Sequence, residues 1–531
     1  MSRKVKIVCL SLLSTTPVVT AAISTLDDIR RSNLTWVGGF NRTVCYSRTL
    51  DYLNKNILAN DSEVFFRDGS GRPMSGKQDI TLTLPGCQAL CGERQAWYWD
   101  IGPRITTWLI PILLLISNVE LSPLDKRRFF AIIHLMGDPI DSIWSLVHKI
   151  DAWDRCYRLA AEQYADDPDR VQRVIATVFA GFEEIKGPDI TLNYLLQTLI
   201  MTANPFQEAI YRQWRLAAVE LADSRSDEIL RTTLAVILYF YHVVASFVEE
   251  VGGDQSSPPG GRIGTAMFIS WLVPVVLLSN SIGGFTSRRS ASSILIRFAQ
   301  STGLELDFAS RQSTRLRQST PLEMIISNPL AAFIFCISIA PIVIGMTGSF
   351  VIMWHTLPVG FACRHLWIIA VFTLYFVSAF ITWASHSRHF ATGAYHWHFV
   401  LYKDGLIGVT SLLAIFLSSS GAFNSCYCFS GNLYYRGRGR VLLNSDPFYH
   451  RKNDTVYPAV VAICLFLELA VFAAMAWIWW NGLQVMRWSE KARAEEWEAA
   501  EGGTRPIPGH AARPQSRQQL IHRLVGEEPK K

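Results

Sequence analysis

The stretch Ile463-Cys-Leu-Phe-Leu-Glu-Leu-Ala-Val-Phe-Ala473 lies inside a longer apolar run, residues 457–480. An apolar run of this length predicts a transmembrane helix, because about 20 helical residues cover the hydrocarbon core of a bilayer. Its one charged residue, Glu468, falls about midway along the run. A carboxylate at that depth costs about 3 kcal/mol on insertion scales, so Glu468 is expected to face protein or water and not lipid.

Six further runs have the same character, and the composition agrees with them. Half of the 531 residues are hydrophobic and 18% are charged, and the mean hydropathy is +0.19. The 12% of aromatic residues excludes an intrinsically disordered chain, and a formal charge of +6 with scattered basic residues implies no nucleic-acid partner. The predicted spans are residues 103–121, 230–251, 263–283, 331–353, 365–385, 405–422 and 457–480.

The first 22 residues follow the pattern of a secretory signal peptide, with a basic start, an apolar stretch over residues 7–19 and small residues up to Ala22. The alternative is an uncleaved first span, but the apolar stretch is too short to cross a bilayer. Cleavage is therefore predicted near Ala22. Seven spans after a secreted amino terminus then leave the carboxyl-terminal tail, residues 481–531, in the cytosol, with a disordered end.

Sequons and cysteines agree with this threading. Two of the predicted outer segments, residues 23–102 and 423–456, contain N-glycosylation sequons, which begin at Asn33, Asn41, Asn60 and Asn453. Six cysteines are also predicted to lie outside and could form three disulfides of undetermined connectivity: Cys45, Cys87, Cys91, Cys363, Cys426 and Cys428. The Cys87-Gln-Ala-Leu-Cys91 pair favours a disulfide framework over a metal site, because a second pair of ligands is missing.

Residues 122–229 are predicted to form a cytosolic helical subdomain. Its helices begin with a capping residue followed by proline, as in Asp138-Pro-Ile-Asp141, where the cap accepts an orphan amide hydrogen and proline occupies the first helical position. The arginine-rich loop 284–330 is predicted to be cytosolic. The predicted fold is thus an all-α polytopic membrane protein, with seven transmembrane helices after a signal peptide and a helical cytosolic subdomain between spans one and two.

The candidate intramembrane polar site is Glu468 with His242, which lies near the middle of the second predicted span. An imidazole can donate a hydrogen bond or titrate near neutral pH, so this pair could support ion conduction or proton coupling. The alternative is a protonated or hydrogen-bonded glutamate that locks helices together. Pro111, Pro274 and Pro341 lie within predicted spans and predict bends, because each proline removes a helical hydrogen bond.

Two further groups of residues are candidates for chemical sites. Four histidines after the fifth predicted span could bind zinc or copper if that segment folded back, but no standard ligand spacing is met: His386, His389, His396 and His398. No metal and no cofactor are therefore predicted.

The first cytosolic loop contains six acid–base residues: His134, Asp138, Asp141, His148, Asp151 and Asp154. A hydrolase or metal site would need several of them to converge. Helix caps and a solvated helix face are the alternative explanation for these residues.

The segments Trp108-Leu-Ile-Pro-Ile-Leu113, Asn118-Val-Glu-Leu-Ser-Pro-Leu-Asp-Lys-Arg-Arg-Phe129, Gly137-Asp-Pro-Ile-Asp-Ser-Ile-Trp-Ser-Leu-Val-His148 and Trp153-Asp-Arg-Cys156 resemble a group of multispan membrane proteins from filamentous fungi. The resemblance implies a fungal membrane origin and carries over no functional residues.

The favoured function is transport of a small solute or ion in the plasma membrane or a secretory-pathway membrane. A seven-span sensor or receptor is the alternative, and an intramembrane enzyme is a third reading that requires histidine and carboxylate groups at one depth. The expected partners are the lipid bilayer and a cytosolic protein that binds the 122–229 loop.

Overall fold

The computed structural model describes residues 40, 42–55, 65–68, 71–72, 81–92, 97, 113, 128–163, 169–186, 208–225, 229–245, 259–282, 288–302, 329–356, 360–385, 394–443 and 446–486. The predicted signal peptide lies outside these residues, as does the predicted first span except for Leu113. The same holds for Asn33, Asn41 and Asn60 and for the tail beyond Met486.

The described residues are mostly helical. The helices, in chain order, are α1 (Arg42–Lys55), α2 (Leu84–Cys91), α3 (Arg128–Gly137), α4 (Pro139–Gln163), α5 (Asp169–Lys186), α6 (Glu208–Asp223), α7 (Ile229–Ala245), α8 (Pro259–Phe268), α9 (Leu272–Ile282), α10 (Arg288–Thr302), α11 (Pro329–Trp354), α12 (Cys363–Ser385), α13 (Ala394–Ser420), α14 (Cys426–Phe429), α15 (Asn432–Tyr435), α16 (Asp446–Ile478) and α17 (Trp480–Met486). The strands are β1 (Phe66–Arg67), β2 (Thr81–Leu82) and β3 (Val441–Leu442).

The chain forms two compact units. The smaller one, which we call the cysteine-linked unit, comprises Met1–Trp97, Asn424–Asn432 and Gly437–Asn444. Its three strands form an antiparallel sheet in the order β1-β2-β3, in which Leu82 lies opposite both Phe66 and Val441. The prediction of an all-α chain omitted this sheet, because strands of two residues are too short to show an alternating pattern.

Disulfides hold the cysteine-linked unit together. Cys45 bonds to Cys91, with 4.8 Å between the Cα atoms, and Cys87 bonds to Cys426 across 5.7 Å. These bonds join α1 to α2 and α2 to α14, so they cross-link a core that is too small to be stable by burial alone. The sulfur atoms of Cys45, Cys87 and Cys91 lie within 4.8 Å of one another. Since all three are consumed by disulfides, they offer no thiolate to a metal ion.

The remaining two of the six cysteines predicted to lie outside, Cys363 and Cys428, are also disulfide-bonded. Within the described part of the chain, the free thiols are Cys156, Cys336 and Cys464. The division between bonded and free cysteines therefore follows the division that the sequence predicts between outer and other segments.

The larger, helical unit contains the membrane candidates. Five described helices are long and apolar enough to cross a membrane: Gly261–Ile282, Pro329–Trp354, Cys363–Ser385, His398–Ser420 and Thr455–Ile478. They coincide with the third to seventh predicted spans. Of the second predicted span the structure describes α7, whose apolar part, Thr232–Tyr241, is shorter. A count of seven spans remains a prediction.

These five helices differ in how far protein covers them. Gly261–Ile282 is 83% buried along its most apolar stretch, whereas the other four are 22 to 39% buried. On α13 the exposed residues Leu406 and Val409 alternate at helical spacing with the buried residues Asp404 and Ser411. Such exposed apolar faces fit contact with lipid acyl chains. The Gly261–Ile282 segment is therefore the central one, surrounded by other helices.

Helix α4 connects the spans to a bundle formed with α5, α6 and α10. It packs against α5, α11, α12 and α17. The indole nitrogen of Trp479 donates to Asp151 at 3.1 Å, and the amide of Gly482 donates to Asp154 at 3.3 Å, so α4 holds the end of α16 and the start of α17. The guanidinium of Arg225 lies 3.8 Å from the ring centre of Trp153. One helix thus contacts both the bundle and several candidate spans.

Candidate functional site

The central candidate span, Gly261–Ile282, is broken in its middle. Helix α8 ends at Phe268 and α9 begins at Leu272. Between them the amide hydrogens bond to carbonyls three residues back, not four, at Ile269, Ser270, Leu272 and Val273. Pro274 explains part of this break: it has no amide hydrogen to give to Ser270 four residues earlier, and the amide of Val273 donates to that carbonyl at 2.9 Å.

Glu468 lies against this break. Its side chain comes from α16, and the residue is 2% exposed. Ser270 Oγ lies 2.5 Å from Glu468 Oε1 and 2.7 Å from the Met267 carbonyl oxygen. The second carboxylate oxygen, Oε2, is buried and has no hydrogen-bond partner among the described residues. The carboxylate is therefore held by one oxygen, and the other is available for a ligand or a proton.

Two neighbouring residues shape this site, which we call the Glu468 site. Gly345 on α11 faces the break, and a Cβ added there would lie 2.9 Å from the Met267 carbonyl oxygen and 3.0 Å from Ser270 Oγ. Only glycine allows α11 to approach so closely. The hydroxyl of Tyr239, on α7, donates to the Ala266 carbonyl oxygen at 2.8 Å. Protein groups thus satisfy backbone polar atoms at the break, as hydrocarbon surroundings require.

Several predicted site residues lie outside what the structure describes. His242 belongs to α7, but its side chain is not among the described ones, so its pairing with Glu468 stays a prediction. His386 and His389 fall outside the described residues, as do the side chains of His396 and Asn453. His398 is exposed. The predicted glycosylation of Asn33, Asn41, Asn60 and Asn453 likewise stays a prediction.

A second polar group, which we call the ion network, lies where α3, α4, α12 and α13 meet. Gly137 ends α3, and a methyl group added there would collide with the backbone of Asp404 on α13. The close approach brings His134 to Asp404, with 2.6 Å between Nδ1 and Oδ2. Asp138 caps α4, because its Oδ1 accepts the amide hydrogen of Asp141 at 3.2 Å. The close approach at Gly137 thus positions Asp404, and the capping hydrogen bond positions Asp138.

The other side of His134 faces Asp141, with 3.3 Å between Nε2 and Oδ2. Trp383 on α12 donates from Nε1 to the second Asp141 oxygen at 3.3 Å. The Lys403 ammonium lies between Asp138 and Asp404, 2.9 Å from Asp138 Oδ2 and 2.7 Å from Asp404 Oδ1. Asp138 and Asp404 are 0% exposed and Lys403 is 7% exposed.

Burial and pairing shift the pKa values in α3 and α4 in opposite senses. Burial lowers the pKa of His134, but its contacts with Asp141 and Asp404 outweigh this and raise the pKa from 6.5 to about 10. Burial raises the pKa of Asp138, partly offset by the charge of Lys403. Burial also acts to raise the pKa of Asp141, yet the hydrogen bond from His134 leaves it below its usual value. His134 is thus a cation at neutral pH.

Three of the six acid–base residues of the first loop converge, and three do not. His134, Asp138 and Asp141 meet in the ion network, whereas Asp151 and Asp154 bind the end of α16 and the start of α17. His148 lies edge-on to the ring of Trp144, with 4.6 Å between the ring centres. Asp138 has the capping role that its Pro-Ile-Asp sequence predicts.

Sequence reasoning missed Lys403 and Asp404. Lys403 precedes the sixth predicted span by two residues and Asp404 by one. The signal was a base and an acid side by side at the edge of an apolar run. It also missed Ser270, whose hydroxyl stands four residues before Pro274.

Comparison of the chain with protein-family models, with curated proteins and with solved structures returns no match.

Proposed function

We propose that this chain is a multi-pass integral membrane protein that transports a small solute or ion, and that the Glu468 site is where the transported species or a coupling proton binds. The observation that carries the proposal is a buried carboxylate at the break of the most enclosed span. Glu468 uses one oxygen for Ser270, and its Oε2 has no partner among the residues described.

A broken span suits transport for a physical reason. Where a membrane helix is interrupted, backbone groups leave the regular hydrogen-bond ladder and become able to coordinate a substrate or ion, provided that protein or water surrounds them. The segment Gly261–Ile282 meets this condition, because it is the most buried of the five candidate spans. A carboxylate that served only to lock helices together would be expected to use both of its oxygens.

The proposal includes a threading of the chain. After a signal peptide, seven spans leave the amino-terminal segment outside and the tail in the cytosol, in the plasma membrane or a secretory-pathway membrane. The four sequons and the disulfide-bonded cysteines support this orientation. The bundle around α4 is then cytosolic. A fungal origin rests on the resemblance alone.

A sensor or receptor is the second candidate, and the position of α4 favours it. Asp141 of α4 accepts from Trp383 on α12, and Asp151 accepts from Trp479 at the end of α16. A displacement of either span would therefore be transmitted to the bundle through α4. An intramembrane enzyme gains less support, because the converging groups already bind one another in the ion network.

Uptake by reconstituted protein tests the proposal. The purified protein is placed in liposomes, and a panel of small solutes and ions is assayed together with internal pH. Glu468→Gln keeps the shape of the side chain and removes its charge, and we expect at least a tenfold loss of flux. Glu220→Gln is the matched control, since Glu220 pairs with Arg297 on an exposed surface, and its flux should equal that of the wild type.

Two results would count against transport. Equal flux in wild type and Glu468→Gln would remove the assigned role of the carboxylate. An absence of flux across the panel, combined with ligand-dependent protection of α4 from hydrogen exchange, would favour the sensor.

A further inference from the structure

More oxygen atoms surround the Lys403 ammonium than its N–H groups can donate hydrogen bonds to. Five oxygens lie within 3.0 Å of Nζ: Asp138 Oδ2 at 2.9 Å, Asp404 Oδ1 at 2.7 Å, Thr382 Oγ1 at 2.7 Å, Ser378 Oγ at 2.6 Å and the Ser378 carbonyl oxygen at 3.0 Å. We call this set the Lys403 cage. It draws on α12, α13 and the residue that caps α4.

An ammonium group has three N–H bonds, so it can give one direct hydrogen bond to only three of five oxygens. A spherical cation has no such limit, because it attracts every oxygen around it without regard to direction. Carboxylate, hydroxyl and backbone carbonyl oxygens are also the ligands that replace the hydration shell of hard cations in proteins. The cage therefore has the composition of a cation site that is filled by a side chain.

We propose that the Lys403 cage is a binding site for a monovalent alkali cation, and that in this conformation Lys403 fills it with its own ammonium. The lysine and a free cation then exclude each other, and a cation enters when the side chain withdraws. The part that this exchange plays in moving a solute rests on the proposed function, whereas cation binding by the cage does not.

The charges around the cage favour a monovalent occupant. Asp138 and Asp404 contribute to the cage directly, and His134 and Asp141 flank them in the ion network. An ion of charge +1 restores the charge that the ammonium supplies. Three of the five ligands are neutral, namely the two Ser378 oxygens and Thr382 Oγ1, whereas calcium sites usually contain several carboxylates.

Removing the lysine side chain tests the proposal. Wild type, Lys403→Ala and Lys403→Met are purified in detergent, and their melting midpoints are measured in potassium, sodium and choline chloride at equal ionic strength, and separately in calcium chloride. Lys403→Ala empties the cage. Lys403→Met removes the charge but leaves a chain of similar length in the place of the ammonium, so it is the matched control.

We expect potassium or sodium to raise the melting midpoint of Lys403→Ala by several degrees over choline, with a saturable dose dependence as binding to a site requires. Wild type and Lys403→Met should show no difference among the three salts. A folded Lys403→Ala protein with one midpoint in all salts would overturn the proposal, as would an equal response of Lys403→Met or stabilisation by calcium alone.

If Lys403→Ala cannot be purified, Lys403→Ala combined with Asp138→Asn takes its place, because the two changes together leave the net charge of the ion network as in the wild type. The same salt dependence is expected, at higher cation concentrations. A salt-independent midpoint in that variant contradicts the proposal. Neither outcome depends on whether the protein transports anything in liposomes.

Discussion

The Glu468 site and the ion network both bury acids inside the helical unit, but they satisfy them differently. In the ion network His134 faces the carboxylates of Asp141 and Asp404, and Lys403 lies within 3.0 Å of those of Asp404 and Asp138. Glu468 has one hydroxyl at 2.5 Å and, among the described residues, no cation at salt-bridge distance. A buried acid that is paired with cations holds helices together, whereas one that is held by a single neutral group is free to exchange a proton or a ligand.

Both regions depend on a glycine that lets helices approach. Gly345 makes room at the break of the central span, and Gly137 makes room where α3 meets Asp404. Small residues at helix contacts allow the backbones close enough for polar side chains to bind across them. We therefore expect that disrupting the ion network lowers stability, whereas changing the Glu468 site alters function with little loss of stability.

The largest expected effect comes from Asp404→Asn. This change removes the negative charge that faces both His134 and Lys403, and breaking a buried ion pair on one side costs about 3 to 5 kcal/mol. The free energy of unfolding in detergent, or the melting midpoint, measures it. Glu220→Gln, in an exposed ion pair with Arg297, should cost about 1 kcal/mol or less. Equal losses in both variants would mean that the ion network is not a stabilising element.

The next expected effect is on pH dependence. The pKa of His134 is about 10 in the folded chain, against about 6.5 in an unfolded one. The stability that this group contributes is therefore complete below pH 6.5 and is lost as the pH rises through about 10, with a slope of up to about 1.4 kcal/mol per pH unit.

The measurement compares melting midpoints of wild type and His134→Gln across that range. The pKa of Asp138 is also raised and acts in the same direction. His134 lowers the pKa of both Asp138 and Asp141, so the difference between the two proteins reports His134 together with its effect on these two carboxyl groups. Parallel pH profiles for the two proteins would show that His134 is not protonated at neutral pH.

Among the ion-network variants, the smallest expected loss of stability comes from Gly137→Ala. The added methyl group collides with the backbone of Asp404, and overpacking of this kind costs about 1 to 3 kcal/mol. Gly405→Ala is the matched control on α13, because a Cβ there meets only Ile133 Cγ2, at 3.8 Å, and alanine favours a helix over glycine. If the two alanine variants have the same melting midpoint, the close approach of α3 and α13 is not tight.

The apolar runs predicted where the membrane candidates lie, because hydrophobic length is a local property of the sequence. Five of the seven predicted spans coincide with such helices, and the other two extend beyond the residues that the structure describes. The capping role of Asp138 could also be predicted from the sequence, since it depends on a neighbour three residues away.

The contact between His134 and Asp404 could not be predicted from the sequence, because 270 residues separate them and only packing brings them together. The break in the central candidate span could be predicted only in part. Pro274 predicted a bend, but it is Ser270 that binds Glu468, and nothing local to either residue indicates the other.

The role of Glu468 is tested most directly on a single preparation of Glu468→Gln, whose melting midpoint and proton-linked flux in liposomes are both compared with those of the wild type. We expect a midpoint close to that of the wild type, because a neutral amide replaces a carboxylate that no cation compensates among the described residues, together with at least a tenfold loss of flux. A variant that melts at a much lower temperature while carrying flux equal to that of the wild type would show that Glu468 is a structural lock and not a binding site for a proton or solute.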